Sequence, residues 1–258
     1  MLILLSPAKT LKPTNPSAKR YAEALTSPVF LDQAEAFSKA MSEWDLGAIM
    51  EKLKLSESMA LRAMAWHQTW QASGGHAAGW TFQGDAFKSL DLASFEEDQI
   101  DAAQRRLRIL NGAYGILKPL DRYRPVRLEM GHNWCPIEGW NTMTQFWRPK
   151  LKSQLQLESD ALGTTNILNL ASAEYGDVAL HGRSTQDVVT CLFLEQKGDA
   201  LKSVSAYAKS ARGAMARFVL TNDIQSACEL EQFDRLGYRY NKAHSRPEKK
   251  VFTRTLTS

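Results

Sequence analysis

Leu2, Ile3, Leu4 and Leu5 form an apolar run without a polar break that stops at Ser6-Pro7. That is the pattern of a short buried strand feeding a binding-type loop. The polar, Pro-bearing stretch from Ser6 through Pro28 predicts loop with room for one short helix. From Phe30 to about Trp70 apolar residues recur at helical spacing, at Phe30, Ala34, Phe37 and Met41 and again at Met59, Ala63, Trp66 and Trp70. This predicts successive amphipathic helices whose aromatic stripe faces a core. Gly74, Gly75 and Gly79 interrupt the period, and Phe95 to Arg108 restores it, with acids early and arginines late as the helix dipole favours.

Further on, Val126 to Met130 has the pattern of a short strand and Gln145 to Leu157 that of a helix. Ile167 to Leu170 and the β-branched Asp187 to Glu195 predict strands, with Ala200 to Ser205 pairing back across Gln196-Lys197-Gly198-Asp199. Ala206 to Asn222 is a helix by period, basic at Lys209, Arg212 and Arg217. No repeat, low-complexity tract or linker divides the chain. The expectation is a mixed α/β (α+β) fold, a single compact domain over residues 1–258.

Composition adds bounds to this picture. A chain of 258 residues with 44% hydrophobic and 23% charged positions can bury a large core. The opening apolar run is too short for a signal peptide or membrane span, so the expected compartment is cytoplasmic, with no membrane partner. Cys135, Cys191 and Cys228 are widely spaced and lack a C-x-x-C pair, which argues against a disulfide framework and for a reducing compartment.

Charge changes the picture more. The segment Arg105 to Arg127 carries seven Lys/Arg against one acid, Asp121, in a chain whose net charge is only +4. Such a concentration points to a polyanionic partner. Within it, Leu110-Asn111-Gly112-Ala113-Tyr114-Gly115 forms a Gly-x-x-Gly turn similar to the hairpin of helix-hairpin-helix DNA-binding modules, whose amides approach phosphates. A plain helix-terminating turn would use Gly112 or Gly115 as well.

Other groups carry candidate chemistry. Ser6-Pro7-Ala8-Lys9-Thr10 offers hydroxyls, amides and an ammonium to a phosphate or carboxylate, without the glycines of a Walker loop. Asp85 in Gln83-Gly84-Asp85 can ligate a metal, act as a base or cap the helix after it. Arg127, Glu129 and Gly131 share one face if their segment is a strand, and Arg127 with Glu129 can form a simple ion pair. Ser172 and Glu174 follow the Ile167 to Leu170 strand, where α/β proteins commonly bind ligands, although a cap and a first-turn acid explain them equally. Asp85, Glu129 and Glu174 could supply hard oxygen ligands to iron or manganese. The five histidines show no zinc spacing, no common catalytic motif is present, and the sequence assigns no metal and no cofactor.

In order along the chain, MLILLSPAKTL, QGDAF, LNGAYGILKPLD, RLEMG, NLASAEY and AYAKSARGAMARF resemble the YaaA family of bacterial peroxide stress proteins. The resemblance implies a cytosolic protein that limits oxidative damage, above all iron-driven damage to DNA. It also implies DNA binding through a positively charged cleft with a helix-hairpin-helix element, placed at Arg105 to Asp121. Lys9 falls in the SPAKT motif, Gly112, Gly115 and Lys118 in the hairpin motif, and Lys209 and Arg212 in the AKSARG motif. Gln83 and Ser210 stand where lysines are usual, Phe87 where Tyr is common, Lys118 where Arg is common, and Ala173 where Asp or Asn is common.

Two functions follow. In the first, Ser6, Lys9, Arg106, Lys118, Arg122, Lys209 and Arg212, with Arg127 and the amides at Gly112 and Gly115, hold duplex or branched DNA mainly by its backbone. In the second, an enzyme clamps a small phosphorylated or nucleotide-like substrate with Lys9, Arg127 and Arg212, and Asp85, Glu129 or Glu174 serves as acid, base or metal ligand. A broad basic surface distinguishes the first, and a closed pocket where carboxylates meet cations the second.

Overall fold

The computed structural model describes residues 1–12, 21–184, 187–198 and 200–255. The part of the predicted opening loop at 13–20, and Asp199 of the predicted turn, lie outside these residues. After β1 (Leu2–Leu5) and β2 (Thr10–Leu11) come the helices α1 (Leu31–Ser42), α2 (Leu46–Leu53) and α3 (Glu57–Gln68). The chain then makes β3 (His76–Ala77), the short α4 (Ala78–Thr81), β4 (Phe82–Gln83), α5 (Asp85–Leu90) and α6 (Glu97–Arg106). Next are β5 (Leu107–Asn111), β6 (Gly115–Leu117), β7 (Arg122–Tyr123), α7 (Met143–Ala161), β8 (Ile167–Leu170) and α8 (Ala173–Ala179). The last elements are β9 (Val188–Lys197), β10 (Ala200–Lys202), α9 (Ser205–Thr221), β11 (Arg239–Tyr240) and β12 (Lys249–Thr255).

The fold is mixed α/β. Its main sheet runs β11-β12-β9-β8-β1-β5-β6. From β12 to β5 the strands are parallel, and β11 and β6 are antiparallel edges. The opening run lies at the centre: β1 is buried along its whole length, with Ile3 opposite both Leu107 and Leu168. A strand with neighbours on both edges and packing on both faces needs the unbroken apolar pattern that Leu2 to Leu5 shows. The predicted strands at Ile167 to Leu170 and Asp187 to Glu195 form, and β10 pairs with the far end of β9, Leu201 opposite Gln196. Helix α9 lies across β1, β8 and β9, while α5 and α6 pack on it. Phe37 of α1, Tyr114 and Trp147 of α7 are wholly buried in the core.

Three expectations are corrected. The helix predicted to reach Arg108 ends at Arg106, because Leu107 to Asn111 is buried throughout and pairs with β1. The Gly-x-x-Gly turn therefore joins two antiparallel strands, β5 and β6, and is not part of a helix-hairpin-helix. Its glycines serve internal packing. A Cβ on Gly112 would lie 2.1 Å from the Leu128 carbonyl oxygen, and Gly115 holds φ +65° with Trp147 where a side chain would go. Finally, Val126 to Met130 forms no strand. The Val126 backbone N–H and C=O are both paired with the Tyr123 hydroxyl, at 3.4 Å each, instead of with a neighbouring strand.

Candidate functional site

The C-terminal ends of β1 and β8 lie side by side, with Leu5 opposite Leu170. From β1 the chain proceeds to β5 on one side, and from β8 to β9 on the other. Ligands in open α/β sheets collect where the connections diverge in this way. Here a cleft of about 540 Å³ opens, lined by Leu5 to Thr10, Gln83 to Lys88, Glu129, Ser172, Glu174, Tyr175, Lys209 and Arg212.

Local structure explains how each motif arrives. Ser6 ties the two strand ends together: its hydroxyl oxygen accepts the Ser172 N–H at 2.8 Å and lies 3.2 Å from the Ser172 hydroxyl. Ser172 begins α8 without a side-chain cap, its hydroxyl being turned to Ser6. Thr10 pairs with Gln83 in a two-strand ladder, which brings the Lys9 loop against the start of α5. Asp85 is the first residue of α5 and makes no capping bond, so its carboxylate is left to the cleft wall. Helix α9 reaches this wall because Gly213 has no side chain: a Cβ there would lie 1.8 Å from the Ala86 carbonyl oxygen. The GDAF and SARG motifs are two halves of one close helix crossing, and that crossing brings Lys209 and Arg212 to the same cleft as Asp85.

Charges meet in the cleft. Arg212 is half-buried, and that burial lowers its pKa from the usual arginine value. Its guanidinium has no hydrogen-bond or ion-pair partner among the described residues, whereas Arg217, one turn on, bonds Leu90 and Asp91 carbonyls and the Ser94 hydroxyl. Lys9, Lys88 and Lys209 are exposed around the cleft. Glu129 accepts the Tyr175 hydroxyl at 2.5 Å, and its other oxygen lies 3.5 Å from Arg127. Arg127 also donates to the Lys9 carbonyl at 2.9 Å, and with Lys9, Glu129 and Tyr175 it lines a small recess adjoining the cleft. Tyr175 is buried, and burial, then the Glu129 charge, pushes its phenol well above the ordinary value. The Glu174 carboxyl receives the Gly131 N–H at 3.4 Å; burial, then nearby Glu129, raises its pKa.

Ser6, Lys9, Asp85, Glu129, Glu174, Lys209 and Arg212 thus share one cleft, with Arg127 beside it. Apart from Arg127, the basic side chains of the hairpin segment line no part of the cleft or its recess. Arg106 is buried and spent on the Met1 and Ile224 carbonyls and on Asp223. Arg108 is buried against Glu158. Arg122 donates to the Gly74 carbonyl at 2.9 Å and Arg124 to that of Ser73 at 2.8 Å. Gly112 and Gly115 are buried, and Lys118 lines a separate cavity of about 150 Å³ with Thr26, Arg108, Asp121 and Glu158. Much of the segment's charge therefore fastens backbone instead of facing a partner. Asp85, Glu129 and Glu174 all line the cleft, and among the described residues no group of three or more His, Cys, Asp or Glu side chains is placed to hold a metal ion.

Two cleft residues, Lys88 and Tyr175, and one neighbour, His132, escaped the sequence reading. Tyr175 carried a signal in its place beside Glu174, but its bond to Glu129 crosses 46 positions. His132, three residues after Glu129, stacks on Trp134 with ring centroids 4.6 Å apart, and the charges of Glu129, Lys9 and Arg127 act on its ring.

A family model described as peroxide stress protein YaaA matches residues 1–244. A UPF0246 protein of Ruegeria sp. (strain TM1040) is 38% identical over 98% of this chain and 100% of its own length. UPF0246 proteins of Hahella chejuensis and Shewanella piezotolerans are 37% and 36% identical, each over 98% of this chain and 99% of their own. No helix among the described residues is long and apolar enough to cross a membrane.

Proposed function

Because this chain belongs to the YaaA family of peroxide stress proteins, we propose that its part in the peroxide response is enzymatic and is carried out, in the cytoplasm, in the cleft between β1 and β8. The substrate is a small phosphorylated molecule. Arg212, Lys9 and Lys209 hold its phosphate, and the Glu129 and Glu174 carboxyls act at the reacting bond, Glu174 as the acid.

The observation that carries this reading is Arg212. A partly buried guanidinium that lines a cleft with no counter-ion among the described residues is disposed to take an anion there. Glu174 supports the second half. Glu174 is exposed at the cleft, yet partial desolvation and the neighbouring Glu129 carboxylate raise its pKa, the direction a proton donor needs. The cysteines give less support to a thiol mechanism: burial pushes Cys135 up and Cys191 to about 12, away from the reactive thiolate.

Isothermal titration with inorganic phosphate and with nucleoside 5′-monophosphates tests the proposal. Replacing Arg212 with Met removes charge-assisted hydrogen bonds and should weaken binding about tenfold or more. Equal binding by wild type and variant would refute the assignment.

DNA held by its backbone, with limitation of iron-driven damage, is the second reading. The exposed Lys9, Lys88 and Lys209 around the cleft favour it. Duplex binding that weakens with salt by about one power per lysine engaged would support it, and would be lost in a triple Lys→Ala variant. Salt-insensitive or absent duplex binding would leave the small-molecule reading alone.

A further inference from the structure

Resting on the small-molecule reading of the cleft, we infer that the bond it breaks is the N-glycosidic bond of a nucleoside monophosphate, with Glu129 as nucleophile and Glu174 as proton donor to the departing base.

Four observations converge on this chemistry. First, Glu129 is presented to the cleft by a buried phenol. Tyr175 is 4% exposed, and its hydroxyl holds one carboxylate oxygen at 2.5 Å. A carboxylate fixed in orientation, beside a second carboxyl, is the equipment for displacement at an anomeric carbon. Second, Glu174 lines the same cleft, partial desolvation and the Glu129 charge favour its protonated form, and the Gly131 N–H steadies its oxygen. Third, the free cations of Lys9, Lys209 and Arg212 suit a 5′-phosphate, and about 540 Å³ is ample for one nucleotide.

Fourth, the loop that delivers Glu129 continues to an aromatic surface. His132 and Trp134 are half-buried and stacked on each other, and Trp44 meets Trp134 edge-on at 5.4 Å. Burial lowers the His132 pKa, so the ring is neutral near pH 7, and its Nε2 is buried without a partner. The half-buried aromatic surface that follows Glu129 in the chain is the kind on which a heterocyclic base stacks.

The step balances with water alone. A Glu129 carboxylate oxygen attacks C1′ and forms a C–O ester bond as the C1′–N bond breaks. The bonding electron pair leaves on the base nitrogen, which takes the Glu174 proton. The Glu174 carboxylate then deprotonates a water, which displaces Glu129 from C1′. The products are free base and sugar 5′-phosphate, and both carboxyls return to their starting states. Tyr175 is a positioning residue in this scheme.

The test is incubation of the full chain with ribo- and deoxyribonucleoside 5′-monophosphates, followed by chromatography and mass spectrometry for free base. We expect base release that falls as pH rises through the elevated Glu174 pKa. Glu129→Gln should lower release at least about a thousandfold while retaining nucleotide binding by titration, which also certifies its fold. Tyr175→Phe should lower kcat with KM little changed, since the ring still packs and only the orienting hydroxyl is lost. Release of inorganic phosphate with the glycosidic bond intact would overturn the inference. So would nucleotides that bind and stay whole, although the anion-site reading would survive that result. Failure to bind either nucleotide or inorganic phosphate would overturn both.

Discussion

At the scale of single residues, buried ionisable groups set how the molecule responds to pH. His67 is 3% exposed, lies 3.3 Å from the Ser38 hydroxyl, and has its pKa lowered to about 4 by burial. An unfolded chain protonates this ring below about 6.5, and the native state resists until about 4. Stability from His67 is therefore complete above pH 6.5 and lost progressively as pH falls through that window, by about 3 kcal/mol in full. Urea unfolding across this range should show the loss, and His67→Gln should flatten it. Glu174 behaves oppositely. Its raised pKa makes its ionisation unfavourable to the fold, so stability falls as pH rises through the elevated value, by a small amount because the side chain is exposed. Glu174→Gln should raise the thermal midpoint at about pH 8 and leave it unchanged at about pH 3, where the native carboxyl is already neutral. Which residues would behave this way was only partly legible. Glu174 and Glu129 stood out as acids at the end of a strand and in an alternating stretch. The Tyr175 hydroxyl that orients Glu129 did not, because a contact across 46 positions leaves no local pattern.

At the scale of elements, periodicity carried far. The β1, β8 and β9 strands and the helices α1, α7 and α9 follow directly from apolar spacing, because each buries a continuous run or one face. The reading failed where charge was taken for exposure. Arginine has enough donors to be buried against backbone carbonyls, as Arg106 is against Met1 and Ile224, and sequence alone does not separate such a fastener from a phosphate contact. The glycines misled for the same reason: close approach was foreseen, but of a ligand and not of Leu128 or Trp147. The helix crossing at Gly213 provides an element-level test. Gly213→Ala would press a methyl into the Ala86 carbonyl, forcing α9 from α5 at a cost of about 1–3 kcal/mol. Because Arg212 and Asp85 flank this contact, phosphate affinity by titration should drop along with stability. Gly74→Ala, which meets nothing within 4 Å at a position without left-handed φ, is the control and should leave both unchanged.

At the scale of the whole molecule, the sheet depends on its last strand. β12 lies between β9 and β11 and pairs with β9 from Thr190 to Gln196. Ending the chain after Glu248 would strip that ladder, remove the Arg254 partner of buried Glu195, and bare a long sheet edge. Such a truncation should aggregate and lose cooperative unfolding, as read by light scattering and circular dichroism during heating. The mixed α/β class was legible because strands and helices intermingle along the sequence. The order of the strands was not, since parallel neighbours such as β1 and β8 are joined by no turn that local residues specify.

The cleft between those two strands takes Ser6 and Lys9 from one end of the chain, Asp85 and Glu129 from its middle, and Lys209 and Arg212 from far downstream. A polypeptide emerging from the ribosome therefore possesses no fragment of the cleft that can work alone. Until α9 has cleared the exit tunnel and docked, the early acids and lysines have no common address, so the protein cannot act on anything while it is still being made. Once docked, a bound ligand touches segments throughout the chain, and protection from proteolysis should spread well beyond the residues it contacts.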